Sequence, residues 1–239
     1  MAIDEIWDSR TRSLLGDEAM RRLRDAHVLV VGLGGVGGYA AEMLLRSGVG
    51  HLTLVDADDV DPTNLNRQII ALRSAIGRPK TELFAERFAD INPRAEIRPI
   101  TSFLEADKIE EIVDRRFDFV IDAIDTVAPK VALLAFCLRN AIPVISSMGA
   151  GGRVDVSAIC YSDLWKTRED GLARAVRQRL KKMGLKRSLK VVCSTEAPAS
   201  SSLLQIGTRN KQTSLGTLGT IPSTFGIFLA NHVILNIIK

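Results

Sequence analysis

The chain of 239 residues predicts a doubly wound, mostly parallel α/β sheet with a C-terminal strand and helix extension. Three observations predict it. Strand-like apolar runs alternate with helical patterns from residue 27 to residue 147, the rhythm of a parallel sheet with crossover helices. A glycine cluster, VVGLGGVGGYA (30–40), joins the first strand-like run to the first helical pattern. The carboxylates and cations that stand out up to Asp125 fall at the ends of strand-like runs or just after them, which is where ligands bind in such sheets.

The elements follow in order. HVLVVG (27–32) is a buried-strand run, and GGYAAEMLLRSG (37–48) is helical and closed by Gly48. HLTLVD (51–56) is the second strand, 79–91 a helix, and AEIRPI (95–100) the third strand. A helix over 105–113 leads to the strand and exit FDFVIDAID (117–125), then a helix over 128–140 and the strand IPVISS (142–147). The rhythm changes after Gly149–Gly152, so 1–152 reads as a Rossmann-like nucleotide-binding core and 153–239 as an extension completing the sheet. In that extension RVDVSAICYSD and LKVVCSTE (189–196) are strand-like, and 171–183 is a basic helix with Leu172, Val176, Leu180 and Met183 on one face. Residues 200–220, rich in Ser, Thr and Gly, predict a long mobile loop, and 221–238 a buried terminal helix interrupted by Pro222, Asn231, His232 and Asn236.

Composition bounds the function. With 46% hydrophobic residues the chain can build one large core. No Arg-rich or apolar leader opens the sequence, so no signal peptide is expected, and neither is stable membrane insertion. Cys137, Cys160 and Cys193 are far apart with no CxxC pair, which fits a reduced, cytoplasmic setting and argues against a cysteine-built zinc site. The net charge is +4, but residues 163–190 carry ten Lys/Arg against three acids. A local basic patch on an otherwise mildly acidic chain points to a polyanionic partner, or to a solvated helix face.

Gly32, Gly34 and Gly37 satisfy G-x-G-x-x-G between a strand and a helix. Such glycines let the backbone approach a phosphate, and the helix start offers free N–H groups. Asp56 ends the second strand, where a carboxylate can accept hydrogen bonds from ribose hydroxyls. This fingerprint does not choose between NAD and ATP; the next segment does. DPTNLNRQI (61–69) sets Asn64, Asn66 and Arg67 beside Asp56, Lys80 starts the following helix, and DAIDT (122–126) puts Asp122 and Asp125 at the end of the fourth strand. Two cations and an acid converging on one pocket suit ATP with Mg²⁺. A dinucleotide's bridging pyrophosphate needs little beyond the glycine turn.

GLGGVGG, LVDADDV, NLNRQ, Lys80 and DAIDT together resemble the ThiF/MoeB superfamily of adenylating enzymes, related to ubiquitin-activating enzymes, over roughly residues 10–160. RTRSLLGDEAMRRL, RFADINPRAEI, SSMGAGGRVD, SDLWKT and CSTEAP resemble its tRNA threonylcarbamoyladenosine dehydratase subfamily. The resemblance implies that backbone at Gly34, Gly35 and Gly37 holds the ATP phosphates and that Asp56 binds ribose. It implies that Arg67 and Lys80 neutralise the triphosphate, with Asn64 or Asn66 bonding nearby. Asp125 would hold Mg²⁺, with Asp122 supporting it or capping the strand. Arg10 matches an arginine supplied across a homodimer interface, with Arg12 the competing candidate. Two departures stand out: no cysteine cluster lies between Thr195 and Lys239, and Gly171 replaces a proline in KTREDGLA.

The implied reaction is adenylation of a carboxylate. In the dehydratase form, the activated carboxyl of threonylcarbamoyladenosine in tRNA is attacked by its own urea group. The three cysteines lie in helical or strand-like apolar runs and read as packing residues, which favours that internal attack. The basic patch would then follow a tRNA backbone through Lys166, Arg168, Arg174, Arg177, Lys181 and Lys182, with Lys166 nearest the active site. The alternative within the same superfamily activates the C-terminal carboxylate of a small sulfur-carrier or ubiquitin-like protein. Sulfur-transfer or redox proteins are further partners the resemblance allows. An NAD-dependent oxidoreductase is opposed by Arg67, Lys80 and Asp125, and a non-catalytic nucleotide sensor by the intact motifs.

Overall fold

The computed structural model describes residues 6–113, 116–199, 203–208 and 211–239. Two short helices open it, α1 (Ser9–Leu15) and α2 (Asp17–Asp25), hinged at Gly16 with φ 81°. The alternation follows: β1 (His27–Val31), α3 (Gly37–Arg46), β2 (His51–Asp56), α4 (Lys80–Ile91), β3 (Glu96–Thr101), α5 (Ile109–Ile112), β4 (Phe119–Asp122), α6 (Val127–Asn140) and β5 (Val144–Ser147). The extension adds β6 (Ile159–Asp163), α7 (Gly171–Lys182), β7 (Lys190–Ser194), β8 (Leu203–Thr208), β9 (Lys211–Leu215) and α8 (Thr220–Ile237).

Among the described residues, seven strands form one sheet in the order β3-β2-β1-β4-β5-β7-β6, parallel except for β6 against β7. The order reverses between β1 and β4, where Val31 stands level with Asp122, and β2 places Val55 on the other side of Val31. The crevice beyond these carboxyl ends is the switch point at which open α/β sheets bind ligands. β1 and β4 are buried almost throughout, because helices cover both faces; such strands read as continuous apolar runs.

The C-terminal segment is woven into this sheet. β7 pairs with β5, and α8 lies on α3, with Gly226 letting the two backbones touch: a Cβ there would run into the carbonyl oxygen of Val36. Ile221, Phe225, Leu229 and Val233 of α8 are fully buried in the main core, each contributing about 1.5–3 kcal/mol. Among the described residues α8 is the one helix long and apolar enough to cross a membrane, but its inward face is core, as the sequence predicts.

The structure corrects several boundaries. The expected loop over 200–220 contains an antiparallel hairpin, β8 with β9, and the first residue of α8. The strand-like 153–163 shortens to β6, preceded by a 3₁₀ turn at Val156–Ala158 capped by the Asp155 side chain. The helix expected over 105–113 is the single turn α5. Gly171 is the first residue of α7, capped by Asp170. Proline is favoured at this position because its missing N–H would be unpaired anyway, so glycine and proline serve the same start.

Candidate functional site

The chain leaves β1 through Gly32, whose φ of 88° is open to glycine. A Cβ there would also lie 2.8 Å from the Ala123 carbonyl oxygen. Gly37 begins α3, and a Cβ on it would collide with the Gly32 carbonyl oxygen. These two glycines bring α3 close to the ends of β1 and β4. Gly34 and Gly35 border the approach: Gly34 is spacious, with the Gln68 amide its nearest neighbour, and Gly35 rests on the Arg67 stem.

Asp56 is the anchor of the pocket. Its Oδ2 accepts the Leu33 N–H at 2.5 Å and its Oδ1 accepts the Asp58 N–H at 2.8 Å. Burial pushes its carboxyl above the usual range, opposed by the Lys80 charge and those two N–H groups. Lys80 is buried at the start of α4; its Nζ lies 3.9 Å from Asp56 and donates to Asp58 at 2.9 Å. The lysine thus enters the pocket already tied to two acids. Asp58 is a site residue that the sequence alone does not single out, although LVDADDV offers it.

Arg67 is half-buried, and its Nη1 donates to the Thr63 carbonyl at 2.8 Å and to Asn66 Oδ1 at 2.9 Å. Asn66 in turn donates to the Thr217 carbonyl at 3.0 Å. Asn64 is buried, and its Oδ1 accepts the Asp61 N–H in a reciprocal cap with the Asp61 side chain. That oxygen shapes the turn that presents Arg67.

The fourth strand brings a correction. Asp122 is fully buried: its Oδ2 pairs with Lys130 Nζ at 2.7 Å and accepts the Ser146 hydroxyl at 2.6 Å, while Oδ1 accepts the Ile124 N–H at 3.1 Å. A carboxylate so engaged is not a cofactor ligand; of the two roles considered for it, it fills that of holding the strand exit. Lys130 also donates to the Ile124 carbonyl at 2.8 Å. Its only signal in the sequence is a lone lysine in the apolar helix APKVALLAFCL. Asp125, three residues beyond Asp122, is exposed on the exit loop and accepts the Thr126 hydroxyl at 3.2 Å.

The two N-terminal arginines separate. Arg12 is held by Asp8 at 2.9 Å and Asp17 at 2.7 Å, and these partners raise its pKa further. Arg10 lies exposed on α1. In the basic region Lys166, Arg168, Arg174, Lys181 and Lys182 are exposed. Arg177 is not part of that face: it turns inward, and its Nη1 donates to the Leu164 carbonyl, the Thr167 carbonyl and the Thr167 hydroxyl. It fastens α7 to the preceding turn.

Whether these residues fit a nucleotide is answered by Gln68. The residue is buried, its amide lies beside Gly34, and its Oε1 has no hydrogen-bond partner among the described residues. A buried amide oxygen left unbonded costs about 1–3 kcal/mol, so a polar group held there suits a ligand in the glycine turn. For a divalent cation the chain offers less. Among the described residues no group of three or more His, Cys, Asp or Glu could hold one, so Asp125 would share an ion with a phosphate chain.

A nucleotide-binding protein of the doubly wound class needs only the glycine turn and the ribose-facing acid. This one adds Lys80 tied to Asp56 and Asp58, Arg67 beside Gly35, and Asp125 on the loop after β4, more charge than a bridging pyrophosphate requires. The chain belongs to the ThiF family, whose model matches residues 8–239. It is 39% identical to the tRNA threonylcarbamoyladenosine dehydratase of Bacillus subtilis (strain 168) over 97% of this chain and 94% of that protein. It is 46% identical to the Escherichia coli (strain K12) protein of the same name over 76% of this chain and 69% of that protein. The solved structure of E. coli tRNA N6-threonylcarbamoyladenosine dehydratase in complex with ATP matches with a TM-score of 0.89 at 38% identity, covering 99% of this chain and 97% of that one.

Proposed function

We propose that the protein adenylates the carboxylate of threonylcarbamoyladenosine in tRNA with ATP and then closes that group into its cyclic, dehydrated form. A carboxylate is a poor electrophile because oxide is a poor leaving group. Transfer of the adenylyl group converts it to an acyl-adenylate from which AMP departs. The chain's part is to hold the phosphates in line and to offset charge on the leaving pyrophosphate. In this reading the Gly34–Gly37 backbone cradles the phosphates and Asp56 accepts from the ribose. Arg67 and Lys80 face the phosphate chain, Asp125 holds Mg²⁺ against it, and Arg10 reaches the pocket of a second copy in a homodimer. The site belongs in the cytoplasm, where its ATP and tRNA are.

The second half of the reaction needs a nucleophile. Cys137 is buried, with its thiol pushed up to about 12 by burial; Cys193 is likewise pushed up to about 12 by burial and by Cys160 beside it. Thiols so raised are poor nucleophiles near neutral pH. The urea group carried by the same side chain needs no recruitment, since intramolecular attack reaches effective molarities on the order of 10⁵ M, about 7 kcal/mol.

The observation that supports the proposal is that the start of the basic helix is tied to the loop leaving β5, at the carboxyl ends of the strands. Asp170, which caps α7, accepts the Gly149 N–H at 2.9 Å in the loop leaving β5. In this reading the basic face starts at Arg174 in the first turns of α7 and runs along the helix to Lys181 and Lys182, and a tRNA backbone following it brings the modified base toward the strand ends; such phosphate contacts position without reading sequence.

The combined variant Arg174→Ala, Lys181→Ala, Lys182→Ala tests this. Its tRNA affinity should fall about tenfold or more at physiological salt, and the slope of log affinity against log salt should shrink by roughly 0.7–0.9 for each phosphate no longer neutralised. ATP binding should be unchanged. Unaltered tRNA affinity, together with ATP–pyrophosphate exchange driven only by a small carrier protein, would favour the alternative adenylyltransferase reading.

A further inference from the structure

A buried cation, Arg153, joins three segments that are distant in sequence. Its Nε donates to the Glu196 carbonyl at 3.1 Å, Nη1 to the Gly149 and Gly151 carbonyls, and Nη2 to the Glu169 carbonyl at 3.0 Å. Its charge is met by Asp170, 3.5 Å away, and both side chains are almost wholly buried. Asp170 is itself shared: Oδ1 caps α7 through the Ala173 N–H at 2.8 Å, and Oδ2 accepts from Gly149. Glu196 adds a second tie by accepting the N–H groups of Val154 and Asp155. Glu169, whose carbonyl Arg153 holds, has φ 48°, in the left-handed region that non-glycine residues seldom occupy.

Stability alone does not account for this arrangement. A buried ion pair is often no more stabilising than apolar side chains of the same size, and a left-handed glutamate adds strain. What the guanidinium supplies is direction: five planar donors spread over fixed carbonyls. The same loop continues toward the phosphate side of the pocket. The Gly152 N–H donates to the Gly216 carbonyl, and the next residue, Thr217, accepts from Asn66, the neighbour that orients Arg67.

We propose that Arg153, through Asp170, is a positioning residue that sets α7 and the Gly149–Gly152 loop in register with the adenylation pocket, so that a tRNA held on α7 presents its carboxylate in line with the nucleotide. The proposal rests on the tRNA reading above. Arg153 touches neither substrate nor phosphate; it acts through the loop and the helix cap.

The test uses Arg153→Lys, which keeps the charge but not the fork, and Asp170→Asn, which keeps a capping oxygen but not the charge. With full-length protein, ATP and tRNA bearing threonylcarbamoyladenosine, kcat for cyclic product should fall at least about tenfold in each, since small misplacements near a reacting centre cost up to about a hundredfold. KM for tRNA, tRNA binding and ATP binding should stay within about twofold of wild type, because the phosphate-facing groups are intact. Loss of kcat in Asp170→Asn alone still supports the proposal if Arg153→Lys fails to fold. A lowered melting temperature with kcat unchanged in the folded variants overturns it, as does a raised KM for tRNA at unchanged kcat. If wild-type protein does not turn over tRNA at all, the functional reading itself has failed, which the wild-type control reports separately.

Discussion

Lys130→Met should destabilise the protein by about 3–5 kcal/mol, the usual cost of removing one partner from a buried ion pair. Lys130 and Asp122 are both fully buried, 2.7 Å apart. Methionine fills the space but leaves the Asp122 carboxylate, among the described residues, with Ser146 and the Ile124 N–H. For a chain of this size that corresponds to a fall in melting temperature of roughly 6–20 °C. The double variant Asp122→Asn, Lys130→Met should recover much of that stability, because the orphaned charge is gone. Denaturant unfolding of the two single variants and the double, read as a cycle, measures the coupling. Activity should fall as well, since Lys130 holds the Ile124 carbonyl one residue before Asp125. A single variant as stable as wild type would show that the pair is not what closes the β4 exit.

Asp125→Ala should lower kcat on the order of 10²-fold or more, the scale seen when a preorganised transition-state interaction is removed, with little change in stability. Asp125 is exposed, and its loop is held from below by Lys130 and Asp122, which the substitution leaves in place. tRNA affinity should stay within about twofold, because the exposed cations of α7 are untouched. Initial rates at saturating ATP and tRNA, with filter binding of tRNA alongside, check both halves. A variant that binds tRNA poorly but turns over normally would reverse the division of labour between pocket and basic helix.

The parts of this protein that read clearly from sequence are those whose physics is local. β1, β2, β4 and β5 are short apolar runs closed by glycine, aspartate or serine, and their ends carry the glycine turn, Asp56 and Asp125. Arg67 and Lys80 are legible because their spacing from Asp56 follows the rhythm of the sheet. The β8–β9 hairpin escapes for a different reason: counting Ser, Thr and Gly describes a loop, the alternation is confined to 204–207, and KQTSL is polar up to its last residue, so the strands show only in their pairing. The buried ions are hidden more deeply. Nothing local shows that Lys130 points into the core, that Arg177 turns back to Thr167, or that Arg153 gathers Gly149, Glu169 and Glu196. Each depends on a partner far away in sequence or on the way a helix is seated. Asp122 and Asp125 sit three residues apart in one motif, yet one is sealed by Lys130 and the other faces outward; only the packing of α6 separates them.

The central claim is that ATP is consumed to make a carboxylate reactive, and an oxygen label tests it most directly. Purified protein is given ATP and tRNA whose threonylcarbamoyladenosine carries ¹⁸O in its carboxylate, and the products are read by mass spectrometry. Activation at the α-phosphate predicts one AMP and one pyrophosphate per cyclised nucleoside, with one label transferred to AMP. Label found in water or inorganic phosphate, with ADP as product or with no nucleotide cleaved, would contradict it.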